Sequence, residues 1–523
     1  MNARFLTAAA LLVALALPAG AQELRIGMKA AVDGSDPHQT YTPNRNVQMH
    51  VYEPLVRQNA HIQPQPGLAT AWRTLDATTW EFTLRDGVAF HDGTPFTADD
   101  AIFSIKRAQT VEGIRTYRIY LRDIAALEAR DPHTLIVRTS VPAPMLPANL
   151  AAIGMVSARA AADATEADFN GGRAAVGTGP YRWVRFTPGQ DVVLERNPAY
   201  WGGAEPWARV QFRFVSNDSA RAAALLAGDL DVIDTVPPGL YSRVRDGERT
   251  QLLTTTSSFT LYLQLDQRRE QTPYAIGADG KPLARNPMLD ARVRRAISLA
   301  LNRTAIADGV MEHGAEPAGQ FMAPGFDGHD PALAPPAFDP AQAKRLLAEA
   351  GFPQGFGLTV ACTNDRYAGD AKVCQTIAQM LTGIGIKTQV EALPAAVFFK
   401  RGGNARSDSE FSAQMSIYST LVGLAVENMA ALVHTTDAAR GFGVANRGRY
   451  ANPALDRLLA DASASFDPTQ RTRLVHQAAE LAIGDGAVIP IFFMKGSWGL
   501  RRGLTMAPRG DQNTYATDIR VTP

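Results

Sequence analysis

Arg366, in the segment Thr363-Asn364-Asp365-Arg366-Tyr367, is the first residue whose type and position suggest chemistry. It follows Leu358-Thr359-Val360, which reads as a strand, and precedes a helical run from Lys372 to Leu381. The ends of strands in α/β sheets are where such folds bind ligands. A planar guanidinium can donate two parallel hydrogen bonds to one carboxylate, so the position suits an acidic ligand. An ion pair with a nearby acid is the competing reading and stays open. Cys362 and Cys374 flank the same segment. A disulfide between them is expected in an exported protein, and closing so short a loop stabilises by roughly 3 kcal/mol in the chain-entropy picture. Two buried free thiols are the alternative.

Motifs for covalent or metal chemistry do not accompany that arginine. The chain has no G-x-S-x-G elbow, no H-E-x-x-H helix and no P-loop. Its nine histidines are scattered, and His50 and His61 do not have the spacing of a zinc site. Neither a catalytic residue, a metal nor a cofactor is therefore expected. Carboxylates are abundant, so a glycosidase pair stays open at this level.

The first 21 residues point to export. Arg4 gives a positive start, Phe5 to Leu17 form an apolar run, and Ala19-Gly20-Ala21 is an A-x-A cleavage site, so the mature chain is expected to begin at Gln22. The run is shorter than the ~20 residues of a spanning helix, and no cysteine follows for lipid attachment. The formal charge of +1 includes Arg4, so the mature chain is balanced. That argues against an electrostatic grip on nucleic acid and against a polybasic membrane patch. About 500 residues exceed one core and require two or three domains.

Local patterns supply the elements. Glu23 to Met28 alternates as a first strand, and Trp80 to Arg85 as another before the turn at Asp86-Gly87. Thr97-Ala98-Asp99-Asp100 resembles a capping box for a helix reaching Ala108. Short strands dominate from about 180 to 265, with Asp191 to Glu195 and Val210 to Phe214 the clearest. Val293 to Leu301 and Pro340 to Ala350 read as helices, the second opened by Asp339 and closed by Gly351. With the strand Ile386 to Val390, the 358–390 region is a βαβ unit, which implies an α/β fold with a mixed or parallel sheet.

Six segments in order resemble the peptide/nickel/oligopeptide class of ABC-importer extracytoplasmic solute-binding proteins, family 5. They are FHDGTPFTADD at 90–100, VGTGPYRW at 176–183, RNPAYWGG at 196–203, VRRAISLALNRTAI at 293–306, DPAQAKRLLAEAGF at 339–352 and YANPALDRLLADA at 450–462. Their glycines, prolines and aromatic pairs read as scaffold. The resemblance implies a two-lobed α/β periplasmic-binding-protein fold of type II with an additional N-terminal subdomain. Residues 23–52, 176–265 and 490–523 would form the first lobe, 53–175 the subdomain and 266–489 the second lobe. The protein would be a periplasmic monomer that closes on a small-molecule or peptide ligand and delivers it to membrane permease subunits.

The resemblance also supplies candidate contacts. An arginine at the place of Arg366 is available to a ligand carboxylate in peptide-binding relatives. Tyr418 to Ala425, including Leu421, falls where dipeptide-binding relatives carry an aspartate for the ligand's ammonium, yet no acid lies between Phe411 and Glu427. A buried ammonium without a partner is costly, so a free dipeptide is disfavoured. Tyr41, Phe259, Tyr262, Tyr418 and Trp498 are the other expected cleft-lining residues, with ordinary packing as the alternative for each. Relatives that bind nickel complexes, haem, opines or sugars keep a non-peptide ligand open.

Overall fold

The computed structural model describes residues 23–39, 42–111, 117–277 and 279–522. The expected leader and Tyr41 lie outside them. The strand Glu23–Met28 sits inside a 12-stranded sheet, parallel to Arg209–Phe214 on one side and Val232–Asp234 on the other. Its alternation places Leu24, Ile26 and Met28 in the core, with Leu24 opposite Val210 and Ile26 opposite Phe212. The strands Asp191–Arg196 and Tyr181–Thr187 extend this half antiparallel. In the other half Phe356–Thr363 runs parallel to Ile386–Leu393 and Ala413–Tyr418, with helix Asp370–Gly383 as the crossover. Helix Pro340–Glu349 begins where Asp339 accepts the Gln342 N–H at 2.8 Å, and Gly351 follows at φ 92°.

Two long strands join the halves. Thr250–Leu265 lies antiparallel to Ile489–Arg501 from Thr250 opposite Arg501 to Leu263 opposite Ile489, with a register shift between Thr256 and Thr260. Below the shift the pair continues into the first half through Asp234 opposite Trp498. Above it Thr260 to Leu265 pairs with Tyr418 to Ala413 in the second. Sequence patterning marks only 257–266 of the first strand. Thr254-Thr255-Thr256 has β-branched side chains but no clean alternation, and its strand conformation rests on pairing with Lys495 to Ser497.

A separate four-stranded antiparallel sheet, in the order Ala69–Asp76, Thr79–Leu84, Thr134–Thr139 and Ile124–Asp131, carries helix Ala98–Thr110. The expected Thr97/Asp100 capping box is present at its start. The core of this unit is continuous with that under helices Pro453–Ala464 and Pro468–Gly484, where Phe82, Phe96, Leu455, Leu459 and Val475 belong to one buried cluster.

Two of the recognisable motifs converge on Glu53, which is 1 % exposed. Thr178 Oγ1, Tyr200 OH and Trp201 Nε1 donate to its carboxylate at 2.9, 2.9 and 2.8 Å, and Arg57 pairs with it. A buried carboxylate survives only with such a set of donors. Gly177 and Gly179 let the chain pass against its neighbour: a Cβ would meet the Val51 carbonyl oxygen at 1.9 Å and the His50 one at 2.3 Å respectively. Gly177→Ala is expected to cost at least ~2 kcal/mol in urea unfolding, because the clash is with backbone on both sides. A loss below 0.5 kcal/mol would mean that the two segments can separate freely.

Two buried histidines must stay neutral. Arg107 donates to Nδ1 of His38 at 2.8 Å while Nε2 meets the Gly154 carbonyl at 3.0 Å, and the Ala516 N–H donates to Nε2 of His50 at 2.8 Å. Burial lowers each imidazole to about 4. The unfolded chain, titrating near 6.5, then binds more protons, so stability is complete above about pH 6.5 and falls as pH drops toward 4. Each ring can cost about 3 kcal/mol across that window. Urea unfolding at pH 7 and pH 5 is expected to show the loss, with a shallower dependence in His50→Gln. Equal slopes for the two proteins would refute the assignment to His50.

Candidate ligand-binding site

A cleft of 640 Å³ opens where the crossing strands change register. One wall comes from the end of Glu23–Met28 and the segment after Val232–Asp234: Lys29, Asp234, Val236 and Tyr241. The opposite wall carries Phe259, Met311, Ile417 and the loop Asp365 to Ala368. Met494, Lys495 and Ser497 form the back, and Asp511 to Asn513 close one side. This mixture of apolar surface and a few charged groups is characteristic of small-molecule sites.

Nearly every charge in the cleft already has a protein partner. Lys29 Nζ lies 3.2 Å from Asp218, and Lys495 Nζ 3.5 Å from Glu316. Asp511 pairs with Arg509 at 2.9 Å, and Asp365 accepts the Ala395 N–H at 2.8 Å. Asp234 accepts the Lys29 N–H at 2.7 Å, and burial pushes its carboxyl up although Arg221 and Lys29 oppose the shift. Arg366 differs. It is exposed, its backbone N–H donates to Asp370 at 3.0 Å, and among the described residues no acid forms an ion pair with its guanidinium. The neighbouring Tyr367 hydroxyl is buried without a partner, and burial raises its ionisation well above the normal range.

The loop that presents Arg366 is held from both ends. Buried Asp370 accepts from Thr363 Oγ1 at 2.8 Å as well as from the Arg366 N–H. Cys362 and Cys374 are joined across the same loop, with Cα atoms 6.5 Å apart. A short loop tied in this way leaves the backbone at its arginine with little conformational freedom to lose on binding.

Strand parity sorts the other expected contacts. Phe259 and Ile417 face the cleft, so their neighbours Thr260 and Tyr418 point to the opposite face. Tyr418 packs partly buried against the core of the antiparallel unit, and burial pushes its phenol up to about 12. Tyr262 is fully buried, its hydroxyl donating to the Phe321 carbonyl at 3.0 Å. Ser497 faces the cleft, which turns Trp498 into the core, where Nε1 donates to Thr514 Oγ1 at 2.8 Å. The Leu421 side chain packs against the same core as Tyr418 and its carbonyl accepts from Gln58 at 2.9 Å. The geometry therefore brings Arg366 and Phe259 together and leaves Tyr262, Trp498, Tyr418 and Leu421 off the cleft wall. Lys29, Asp234, Tyr241 and Asp511 to Asn513 line it without having been marked by the sequence. Lys29 could have been found from its place just past a buried parallel strand, whereas the 511–513 segment carries no local signal.

Among the described residues no cluster of His, Cys, Asp and Glu could hold a metal ion, and no helix is long and apolar enough to cross a membrane. The chain is similar to the periplasmic oligopeptide-binding protein OppA of Salmonella typhimurium, 25 % identical over 532 residues that cover 93 % of this chain and 91 % of the relative. It superposes on the periplasmic binding protein DppA of Helicobacter pylori in complex with the peptide STSA, with a TM-score of 0.78, 21 % identity, and 95 % and 98 % of the two chains covered. It matches the binding protein AgaA of A. tumefaciens R10 in complex with agropinic acid equally well, with a TM-score of 0.78, 23 % identity, and 96 % and 99 % covered. These likenesses establish the two-lobed α/β architecture. The family model for bacterial extracellular solute-binding proteins, family 5, matches residues 63–440 through its middle section, and the chain belongs to that family.

Proposed function

We propose that the protein is the periplasmic receptor of an ABC importer, which captures a small organic acid or peptide-like ligand in the cleft and hands it to membrane permease subunits. The observation that carries this reading is the unpaired guanidinium of Arg366 in a cleft whose other charges are matched. A carboxylate of the ligand supplies the missing partner through two charge-assisted hydrogen bonds. In this reading residues 23–52, 176–265 and 490–523 form one lobe, 266–489 the other, and 53–175 the added subdomain. The crossing strands serve as the hinge, and the lobes close around the ligand in a monomer exported by cleavage after Ala21.

The charge pattern disfavours a free dipeptide. The stretch from Phe411 to Val426 holds only Gln414, Tyr418, Ser and Thr as polar groups, with no acid to receive an ammonium. The relatives' ligands include a peptide and agropinic acid, both of which carry a carboxylate, so Arg366 is compatible with either class. Membership of a family of binding proteins supports ligand transport rather than turnover.

The receptor, stripped of bound ligand by unfolding and refolding, is expected to gain stability from its ligand as RT ln(1 + [L]/Kd). A thermal-shift screen of peptides, opines, sugars and chelates checks this, and Arg366→Ala is expected to weaken a carboxylate ligand by about 2 kcal/mol or more. A screen with no responding compound contradicts the receptor reading. Unchanged affinity in Arg366→Ala contradicts the anchor.

A further inference from the structure

The cleft that holds Arg366 also carries polar atoms for which the protein supplies no partner. Asp234 ends the strand Val232–Asp234 and lines the cleft, with its side chain 12 % exposed. Its Oδ1 accepts the Lys29 N–H at 2.7 Å. Its Oδ2 meets no hydrogen-bond donor among the described residues, yet it is not one of the oxygens sealed from solvent, so it opens into the cavity. Asn513 is in the same state on the side of the cleft. Its backbone N–H donates to Asp511 at 2.9 Å, while neither atom of its side-chain amide has a protein partner and neither is sealed off. The intervening Gln512 gives Nε2 to Ser257 Oγ at 2.8 Å and leaves Oε1 open.

The backbone beside these groups is strained. Thr235 has φ 47° and Gln512 φ 60°, and among the described lining residues no other side-chain-bearing residue has positive φ. The left-handed region is unfavourable for any residue with a Cβ, and most of all for a β-branched one. The fully buried Arg221 imposes it on Thr235. Its Nη2 donates to the Thr235 carbonyl at 2.7 Å, its Nε to the Asp234 carbonyl at 3.2 Å and its Nη1 to the Val215 carbonyl at 2.7 Å. Such strain persists only where the surroundings over-determine it, and it collects at ligand clamps. Here it falls on the residue after Asp234 and the residue before Asn513.

The chemistry of these atoms selects the group they receive. Lys29 lies 3.2 Å from Asp218, and Arg221 lies 2.7 Å from Asp218 and 3.7 Å from Asp234. Two cations face two carboxylates, so this wall is electrically balanced and an ammonium would find no spare negative charge. An ammonium is also a donor only, whereas the open atoms include the acceptors Asp234 Oδ2 and Gln512 Oε1 and the donor Asn513 Nδ2. A hydroxyl both donates and accepts, and it fits that mixed set without adding charge. We propose that Asp234 and Asn513 determine the specificity of the cleft by receiving hydroxyl groups of the ligand. The inference rests on the receptor reading and deepens it: the ligand class is a polyhydroxylated organic acid, with its carboxylate at Arg366 and its hydroxyls on the wall of Asp234. An acid with a plain alkyl chain strips water from the same atoms and returns no hydrogen bonds, which is how the wall rejects it.

The test titrates three acids of equal chain length into the stripped mature protein: gluconate, hydroxylated along its chain, hexanoate, with no hydroxyl, and 6-aminohexanoate, with a terminal ammonium. Wild type is expected to bind gluconate at least about tenfold more tightly than either of the others. Asp234→Asn keeps the acceptor for the Lys29 N–H and turns the open oxygen into a donor. In that variant the gluconate-to-hexanoate ratio is expected to fall to about threefold or less, with hexanoate affinity unchanged. A purely structural role would weaken the acids together and leave the ratio as in wild type, and that result overturns the proposal. A ratio near one in wild type also overturns it, and tighter binding of 6-aminohexanoate does so in favour of an ammonium site. If Asp234→Asn does not fold, Asn513→Ala replaces it: a lowered gluconate ratio supports the proposal and an unchanged ratio overturns it. Arg366→Ala separates this inference from the reading beneath it. Gluconate and hexanoate bound equally by wild type, and both lost in Arg366→Ala, sink the hydroxyl wall and leave the receptor standing. A gluconate preference with the same affinity in Arg366→Ala supports the wall and sinks the carboxylate anchor. A wild type that binds none of the three acids at millimolar concentration overturns both.

Discussion

The long antiparallel pair Thr250–Leu265 and Ile489–Arg501 is the constraint on which the rest of the molecule depends. Each strand is too long for one lobe, so its hydrogen bonds are shared between the two halves of the sheet. The shift of register between Thr256 and Thr260 frees Ser257 to Phe259 from the ladder between them. Ser257 Oγ then donates to the Met494 carbonyl at 2.6 Å, and the Ser258 N–H to that of Gly510 at 2.9 Å. A break of this kind bends a strand without cutting it. The cleft forms at that break, which is why Phe259, Met494, Lys495 and Ser497 line it together.

A second constraint governs the charges. Taking an ion out of water is costly, and the molecule compensates almost everywhere with its own groups: Glu53 with four side-chain donors, Asp511 with Arg509, Arg294 and Arg303 with backbone carbonyls. Against that background Arg366 is the informative exception, exposed on a loop tied by Asp370 and the Cys362–Cys374 link. Binding energy concentrates where the protein has left a charge for its ligand to match.

The fold was legible because its signals are local. Gly177 and Gly179 mark a close backbone approach, Asp339-Pro340 and Gly351 bound a helix, and Thr97 with Asp100 caps another. The site was legible only in part. Arg366 could be located from the strand-to-helix boundary, but deciding between Ile417 and Tyr418, or between Ser497 and Trp498, requires knowing which face of a strand meets the cleft. A one-residue change of parity reverses that answer, and strands covered on both faces do not reveal it through alternation. Asp511 to Asn513 reach the cleft only through the C-terminal segment's return across the sheet.

The central claim is that two lobes joined by the crossing strands close on a ligand that the protein carries. The most direct measurement extracts the small molecule bound to the natively purified protein, identifies it by mass spectrometry, and returns it to the stripped protein while small-angle scattering records the radius of gyration. The account predicts a saturable decrease in radius at a ligand-to-protein ratio of one. An identified ligand that rebinds with no change in radius would contradict it.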